Sequence, residues 1–229
     1  MKLVILAGGY GTRISEETKI KPKPLVKIGN KPIIWHLMKI YSAFGIKEFI
    51  ICVGYRGYMI KKELTKYKNA ENWKIKFVNT GLHTMTGGRV KRIKKYINKD
   101  KYFCLSYGDG LSNVDIKKLI KFHISKSKIA TLTAVKYKNP KGILSINKTL
   151  NINNIKEKPI EYINGGFFVL SNKIFKYLKN DKTIFEKDCL PVIARKGQLL
   201  AFKHNSFWAC MDTLREKKEL NILWKQKKC

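Results

Sequence analysis

The string Leu3-Val4-Ile5-Leu6-Ala7-Gly8-Gly9 limits this chain more than any other feature. A short aliphatic run that stops on two glycines reads as a buried strand feeding a tight turn. The same rhythm continues downstream. Between Pro32 and Phe44 apolar residues fall at 33, 34, 37, 38, 40, 41 and 44, which is helical spacing, with Pro32 suited to the first turn and Gly45 to the stop. Phe49 to Val53 reads as a strand, a short helix follows near Tyr58 to Lys66, and Ile75 to Val78 is a third strand. Val90, Ile93 and Ile97 mark a helix after Gly87-Gly88. Tyr102 to Tyr107 is a strand ending on Gly108-Asp109-Gly110, and Ile116, Leu119, Ile120 and Phe122 mark the helix beyond it. Alternation of this kind predicts a mostly parallel sheet covered on both faces.

From about Lys128 the pattern changes. Ala130 to Val135, Gly142 to Ile146 and Gly166 to Leu170 are strand-like with few helices between them, and predict a mixed extension of the sheet that forms one wall of a cleft. Ser171 is expected to cap a short helix with Ile174, Phe175 and Leu178 inward, and Asp212 or Thr213 to cap the last helix, with Leu220, Leu223 and Trp224 on one face. No internal repeat or low-complexity linker interrupts the 229 residues, so one domain is expected.

Charge raises a competing reading. Lys plus Arg is 48 against 16 acidic residues, a net charge of +32, which invites nucleic acid or an anionic surface as partner. However, 42 of the bases are Lys and 6 are Arg, the usual reader of base edges, and the lysines are spread along the whole chain. Lys, Ile and Asn codons are rich in A and T, so genome composition accounts for the excess without a specific nucleic-acid site. The opening apolar run is too short for a secretion signal or a membrane span, so a cytoplasmic protein with no membrane partner is expected. Five cysteines without a C-x-x-C pair, and four histidines without ligand-like spacing, point to reduced thiols and no zinc site.

Two motifs carry chemistry. Leu6-Ala7-Gly8-Gly9-Tyr10-Gly11-Thr12-Arg13 follows the first strand directly. Glycines let backbone N–H groups approach phosphate oxygens closely, and Arg13 adds a fixed guanidinium. The string lacks the third glycine of the dinucleotide pattern and the G-K-[ST] ending of a Walker A loop. In Lys21-Pro22-Lys23-Pro24-Leu25, prolines on either side of Lys23 are expected to hold it in an extended backbone and aim its ammonium. Either motif alone could be an ordinary glycine turn or a solvated loop.

Together, these motifs resemble the sugar nucleotidyltransferases (nucleotide-sugar pyrophosphorylases), and Leu3 to His36 looks most like the bacterial glucose-1-phosphate cytidylyltransferases within that family. The resemblance continues through Phe49 to Tyr55, Thr84-Met85-Thr86-Gly87-Gly88-Arg89, Tyr107-Gly108-Asp109-Gly110, Glu157-Lys158-Pro159, Ile163 to Phe168 and Met211-Asp212-Thr213-Leu214-Arg215. It implies a three-layer, Rossmann-like α/β nucleotidyltransferase fold with a mostly parallel mixed central sheet. One domain would hold a nucleotide-binding half over about 1–127 and an acceptor-binding half over about 128–229.

The resemblance also implies the reaction. A substrate phosphate attacks the α-phosphorus of a nucleoside triphosphate in line, pyrophosphate leaves, and no covalent enzyme intermediate forms. Lys23 and Arg13 would be catalytic. Leu6, Ala7, Gly8, Gly9, Gly11, Thr12, Arg13, Thr86, Gly87, Gly88 and Asp109 would bind the nucleotide, with CTP expected. Gly142, Glu157, Lys158, Asn164 and Gly165 would bind the phosphorylated acceptor, and Asp109 and Asp212 would hold Mg²⁺. Relatives assemble, so the resemblance leaves a homo-oligomer open for this chain without requiring one. This chain departs from the cytidylyltransferases on the acceptor side. The segment between Leu64 and Lys76 is roughly twenty residues shorter, well beyond ordinary loop variation. The family's Arg-Phe-Gly becomes Pro140-Lys141-Gly142, and the link from Pro159 to Asn164 is shortened. Three readings result. The first is a cytidylyltransferase acting on a sugar 1-phosphate such as glucose 1-phosphate for surface polysaccharide or capsule synthesis. The second is the same chemistry on a non-sugar phosphate such as phosphoglutamine, on a capsule phosphoramidate route. A basic nucleic-acid-binding protein is a distant third.

Overall fold

The computed structural model describes residues 1–97, 99–139 and 141–226. Its centre is a seven-stranded sheet: β1 (Leu3–Ala7), β2 (Glu48–Val53), β3 (Lys74–Asn79), β4 (Tyr102–Tyr107), β5 (Ala130–Lys138), β6 (Ile160–Ser171) and β7 (Leu199–His204). The spatial order is β7-β5-β6-β4-β1-β2-β3. β6 runs antiparallel to both β4 and β5, and every other pairing is parallel. The helices longer than four residues are α1 (Ile33–Ala43), α2 (Gly57–Thr65), α3 (Thr86–Arg92), α4 (Ile116–Lys126), α5 (Leu190–Arg195) and α6 (Leu214–Lys225).

The central strands are hydrophobic at consecutive positions because both their faces are buried. Leu3, Ile5 and Ala7 of β1 join one apolar cluster with α1, while Val4 joins a second on the opposite face. Phe49 and Ile51 against Ile50 and Cys52, and Phe167 and Val169 against Phe168 and Leu170, divide in the same way. This makes the molecule three layers deep, with an α/β sheet that is mixed and mostly parallel. Cys52, Cys104, Cys189 and Cys210 are free thiols, and Cys229 lies outside the described residues.

Several local expectations change. Lys23 opens a 3-10 turn over Lys23–Leu25 instead of lying extended; the turn is closed by Leu25 N–H donating to the Pro22 carbonyl, and it sends Leu25 and Val26 into the core. The run at Gly142 to Ile146 stays out of the sheet. Its strand, Ile143–Ile146, pairs only with Ile152–Lys156 in a hairpin of its own. β7 closes the sheet at an edge the sequence pattern did not mark. Thr213, not Asp212, caps α6: its hydroxyl accepts from Glu216 N–H while the Glu216 carboxylate reaches back to the Thr213 amide. The Asp212 side chain is thereby left for other work. α6 docks through Trp224, whose ring meets His36 edge-on at 4.8 Å and covers Gly29, where a Cβ would sit 2.1 Å from the indole nitrogen.

Candidate active site

The C-terminal ends of parallel strands β1 and β4 open side by side, the place where open α/β sheets bind ligands. Gly108 N–H donates to the Leu6 carbonyl, and Tyr55 N–H, just past β2, donates to Gly8. Around these ends lies a cleft of about 800 Å³. It is lined by Leu6 to Gly11, Arg13, Lys23, Leu82 to Thr86, Tyr107 to Gly110, Ile163 to Gly166, Glu186, Trp208, Cys210 and Asp212, among others.

Its charged centre comes from three distant segments. The Lys23 ammonium donates to Asp109 Oδ2 at 2.5 Å and to Asp212 Oδ1 at 2.5 Å. Arg13 Nη1 donates to the other Asp212 oxygen at 2.6 Å. Asp109 arrives on the turn after β4, Asp212 immediately before α6, and Lys23 on its proline-flanked turn. Lys23 is buried, and burial alone would pull its pKa down; the two carboxylates more than reverse this, so the pKa is raised and the ammonium is permanently charged at neutral pH. Beside it, burial first, then Asp212 and Glu216, push the Cys210 thiol up to about 12, so it carries no thiolate for nucleophilic work. The cleft wall holds Arg13, Lys23 and Arg89 against Asp109, Glu186 and Asp212, so the excess positive charge of the chain lies outside it.

The glycine loop splits into two kinds of position. Gly9 has open space where a Cβ would project, free for backbone approach to a ligand. Gly8 is required by Arg89: a Cβ there would stand 2.1 Å from Nη1. The buried Arg89 guanidinium donates to Thr80 Oγ1 at 2.7 Å and to the Gly81 and Gly8 carbonyls, each at 2.9 Å, tying the glycine loop to the segment after β3.

A second polar network forms the opposite wall. Tyr107 Oη donates to Glu186 Oε1 at 2.5 Å, Thr86 Oγ1 donates to Glu186 Oε2 at 2.7 Å, and Asn164 Nδ2 donates to the Tyr107 oxygen at 3.3 Å. Burial, then the Glu186 carboxylate, raises the Tyr107 pKa, keeping its proton in place as a donor. Trp208 Nε1 donates to the Gly165 carbonyl at 2.7 Å. Glu186 has no counterpart in the sequence reading. It lies on the π-helical turn Phe185–Cys189, where neither helical nor strand spacing marks an inward face.

Of the residues singled out from sequence, Leu6, Ala7, Gly8, Gly9, Gly11, Arg13, Lys23, Thr86, Asp109, Asn164, Gly165 and Asp212 line this cleft. Thr12 is exposed outside it. Gly87 and Gly88 are buried beneath it, where a Cβ would meet Thr183 at 2.8 Å and Asp181 at 2.6 Å, so they are glycine for packing. Gly142, Glu157 and Lys158 are exposed on and beside the outlying hairpin and do not line the cleft. Pro140 lies outside the described residues.

A sequence profile described as "Nucleotidyl transferase" matches residues 2–214. The chain belongs to the nucleotidyl transferase family. As a nucleotidyltransferase it is 45% identical to the glucose-1-phosphate cytidylyltransferase of Salmonella typhimurium (strain LT2), over the whole of this chain and 97% of the relative. That alignment runs over 251 positions, and this chain can fill at most 229 of them, so 22 or more are occupied by the relative alone. The mannose-1-phosphate guanyltransferase of Aspergillus oryzae is 31% identical over 91% of this chain and 60% of its own length. Among solved structures, HddC from Yersinia pseudotuberculosis complexed with GMP-PN superposes with a TM-score of 0.77 at 28% identity, covering 97% of this chain and 99% of that one. No helix among the described residues is long and apolar enough to cross a membrane.

Proposed function

We propose that this nucleotidyltransferase moves a cytidylyl group from CTP to the phosphate of a small acceptor, releasing pyrophosphate. The observation that carries the reading is the Lys23 ammonium seated between Asp109 and Asp212 beneath an open glycine loop. The 45% identity to a cytidylyltransferase supports CTP over other triphosphates.

Transfer between two anions needs alignment and charge neutralisation more than covalent chemistry. The amides of Gly8, Gly9 and Gly11 hold phosphate oxygens, and Arg13 at the mouth pairs with the triphosphate. Lys23, rigid because it is buried and doubly held, bridges the α-phosphate and the incoming phosphate. Two hard carboxylate oxygens converging on one cationic position also suit Mg²⁺, which takes one or two carboxylates together with substrate phosphates and water. Asp109 and Asp212 would hold it; when bound it supplies charge neutralisation on the phosphoryl oxygens. Thr86, Asn164 and Gly165, with Glu186 between them, face the acceptor and nucleotide from the far wall.

Glucose 1-phosphate is the acceptor suggested by the relative's name. A second reading is favoured by Gly142, Glu157 and Lys158 lying outside the cleft and by the 22 or more positions absent from this chain. The acceptor would then be another small phosphorylated metabolite, such as phosphoglutamine, with the product feeding capsule synthesis. Pyrophosphate release with CTP and Mg²⁺ separates the two across sugar 1-phosphates and phosphorylated amino acids. Best turnover with glucose 1-phosphate selects the first, best turnover with a non-sugar phosphate selects the second, and no release with any pair refutes both.

A further inference from the structure

The two carboxylates on the cleft wall are already held by cations of the chain itself. Lys23 takes Asp109 Oδ2 and Asp212 Oδ1, both at 2.5 Å, and Arg13 takes Asp212 Oδ2 at 2.6 Å. Three of the four carboxylate oxygens therefore accept from a cation. Two carboxylates against one ammonium and one guanidinium leave this group without net charge. These are not core ion pairs. They join positions 86, 189 and 199 residues apart on the wall of an open cleft, and the Asp109 and Asp212 side chains keep 25% and 21% of their exposure. The stem of Lys23 is fixed beneath Gly11, where a Cβ would stand 3.0 Å from Lys23 Cβ. Its ammonium end can exchange one set of oxygens for another by rotation about the outer side-chain bonds. Arg13, with a side chain 73% exposed, can do so more freely.

We infer that Lys23 and Arg13 are the resident counter-ions of Asp109 and Asp212, and that they make divalent-cation binding at this pair conditional on a triphosphate. The inference rests on the reading of the two carboxylates as the Mg²⁺ ligands. A cation at the usual ~2.1 Å from either oxygen held by Lys23 would lie no farther than ~4.6 Å from the ammonium nitrogen. Repulsion between a single and a double positive charge that close weakens affinity many-fold, even at the damped dielectric of a partly buried site. Mg²⁺ also gives up its water reluctantly, so a group of side chains without net charge offers it little. Triphosphate oxygens change both terms. They give Lys23 and Arg13 new partners and so release carboxylate oxygens. They also bring the negative charge that lets an ammonium and a divalent cation stand near each other. Lys23 thus has two alternative partners, carboxylate or phosphate, and exchanges them without moving its backbone.

The test is Mn²⁺ binding to the full chain without nucleotide, read from loss of the free-ion electron paramagnetic resonance signal. Lys23→Met should bind Mn²⁺ at least ~10-fold more tightly than wild type, and Arg13→Met should gain less because its exposed charge is screened. Lys23→Gln keeps polar donors without the charge. It should gain as Lys23→Met does, and it replaces that variant if circular dichroism shows the apolar side chain to unfold the chain. Adding Asp212→Asn to Lys23→Met should return binding to the wild-type level, which assigns the gained site to this carboxylate pair. With CTP present, wild type should form a ternary complex, seen as water-proton relaxation enhanced over Mn²⁺–CTP alone. Wild type that binds Mn²⁺ without CTP as tightly as Lys23→Met, or neutral variants that gain nothing, would overturn the inference. Asp212→Asn alone then separates the two readings. A weakened ternary complex keeps the carboxylates as metal ligands without the counter-ion role, and an unchanged one removes both.

Discussion

Gly8→Ala is the substitution whose cost can be worked most directly from contacts. The new methyl would stand 2.1 Å from Arg89 Nη1 and 2.5 Å from Cζ, distances no Cβ tolerates, with Gly54 N at 3.0 Å on the other side. The guanidinium must therefore move, and in moving it gives up bonds to Gly8, Thr80 and Gly81 inside a site where Arg89 is 5% exposed. Hydrogen bonds from a charged donor contribute ~1.5–3 kcal/mol each, so losing two costs about 3–6 kcal/mol. That is a large part of the ~5–15 kcal/mol that holds a domain folded. Urea unfolding followed by circular dichroism would read this as a midpoint lower by about 1–3 M at a slope of ~2–3 kcal/mol/M, the upper part of the usual range. The cause is isolated by repeating Gly8→Ala in an Arg89→Lys background, where the terminal nitrogens are withdrawn. There the cost should fall by at least ~1.5 kcal/mol. Equal costs in both backgrounds, or a wild-type cost below ~1 kcal/mol, would refute the clash and return Gly8 to a purely ligand-facing role.

Lys23→Ala should lower kcat by ~10²-fold or more while the chain still folds, measured by pyrophosphate release beside a thermal melt. Because Lys23 is raised above 10.5 in the fold, its stabilising effect is complete below that pH and is lost as pH rises through the folded value; a urea series should show that alkaline decline in wild type and not in Lys23→Met. Asp212→Asn should shift the Mg²⁺ titration of turnover to higher concentration, and an unaltered curve would leave Asp212 as a partner of Lys23 and Arg13 only. His123 is buried, and burial lowers its pKa to about 4 from 6.5, so the unfolded chain takes the proton first and stability falls as pH drops from about 6.5 to about 4. That acid limb should flatten in His123→Gln.

What the sequence made readable follows from how local each constraint is. β1, β2 and β4 declare themselves because both faces of each are buried, leaving unbroken apolar runs, and α1 because its inward residues recur at helical spacing. The edge strand β7 was missed because none of its residues is fully buried, so no periodicity was imposed on it. The hairpin at 143–156 looked like sheet because its residues have strand chemistry, but pattern alone cannot say which sheet a strand joins. The site divides along the same line. Lys23, Gly11 and Asp109 sit in turns whose own prolines and glycines announce them. Glu186 does not, since it meets Thr86 across 100 positions, and although Arg89 falls within a family-like motif, its contact with Gly8 spans 81 positions that no local pattern joins. Gly87 and Gly88, which the family resemblance assigns to the nucleotide, also pack against the backbone of Asp181 and Thr183, nearly a hundred residues away, which leaves no room for a side chain. A glycine therefore carries two indistinguishable signals in sequence, closeness to a ligand and closeness to the chain itself, and only the tertiary neighbour separates them. By that criterion Gly9, with open space on its Cβ side, is the position in this loop where substitution should disturb phosphate binding more than folding.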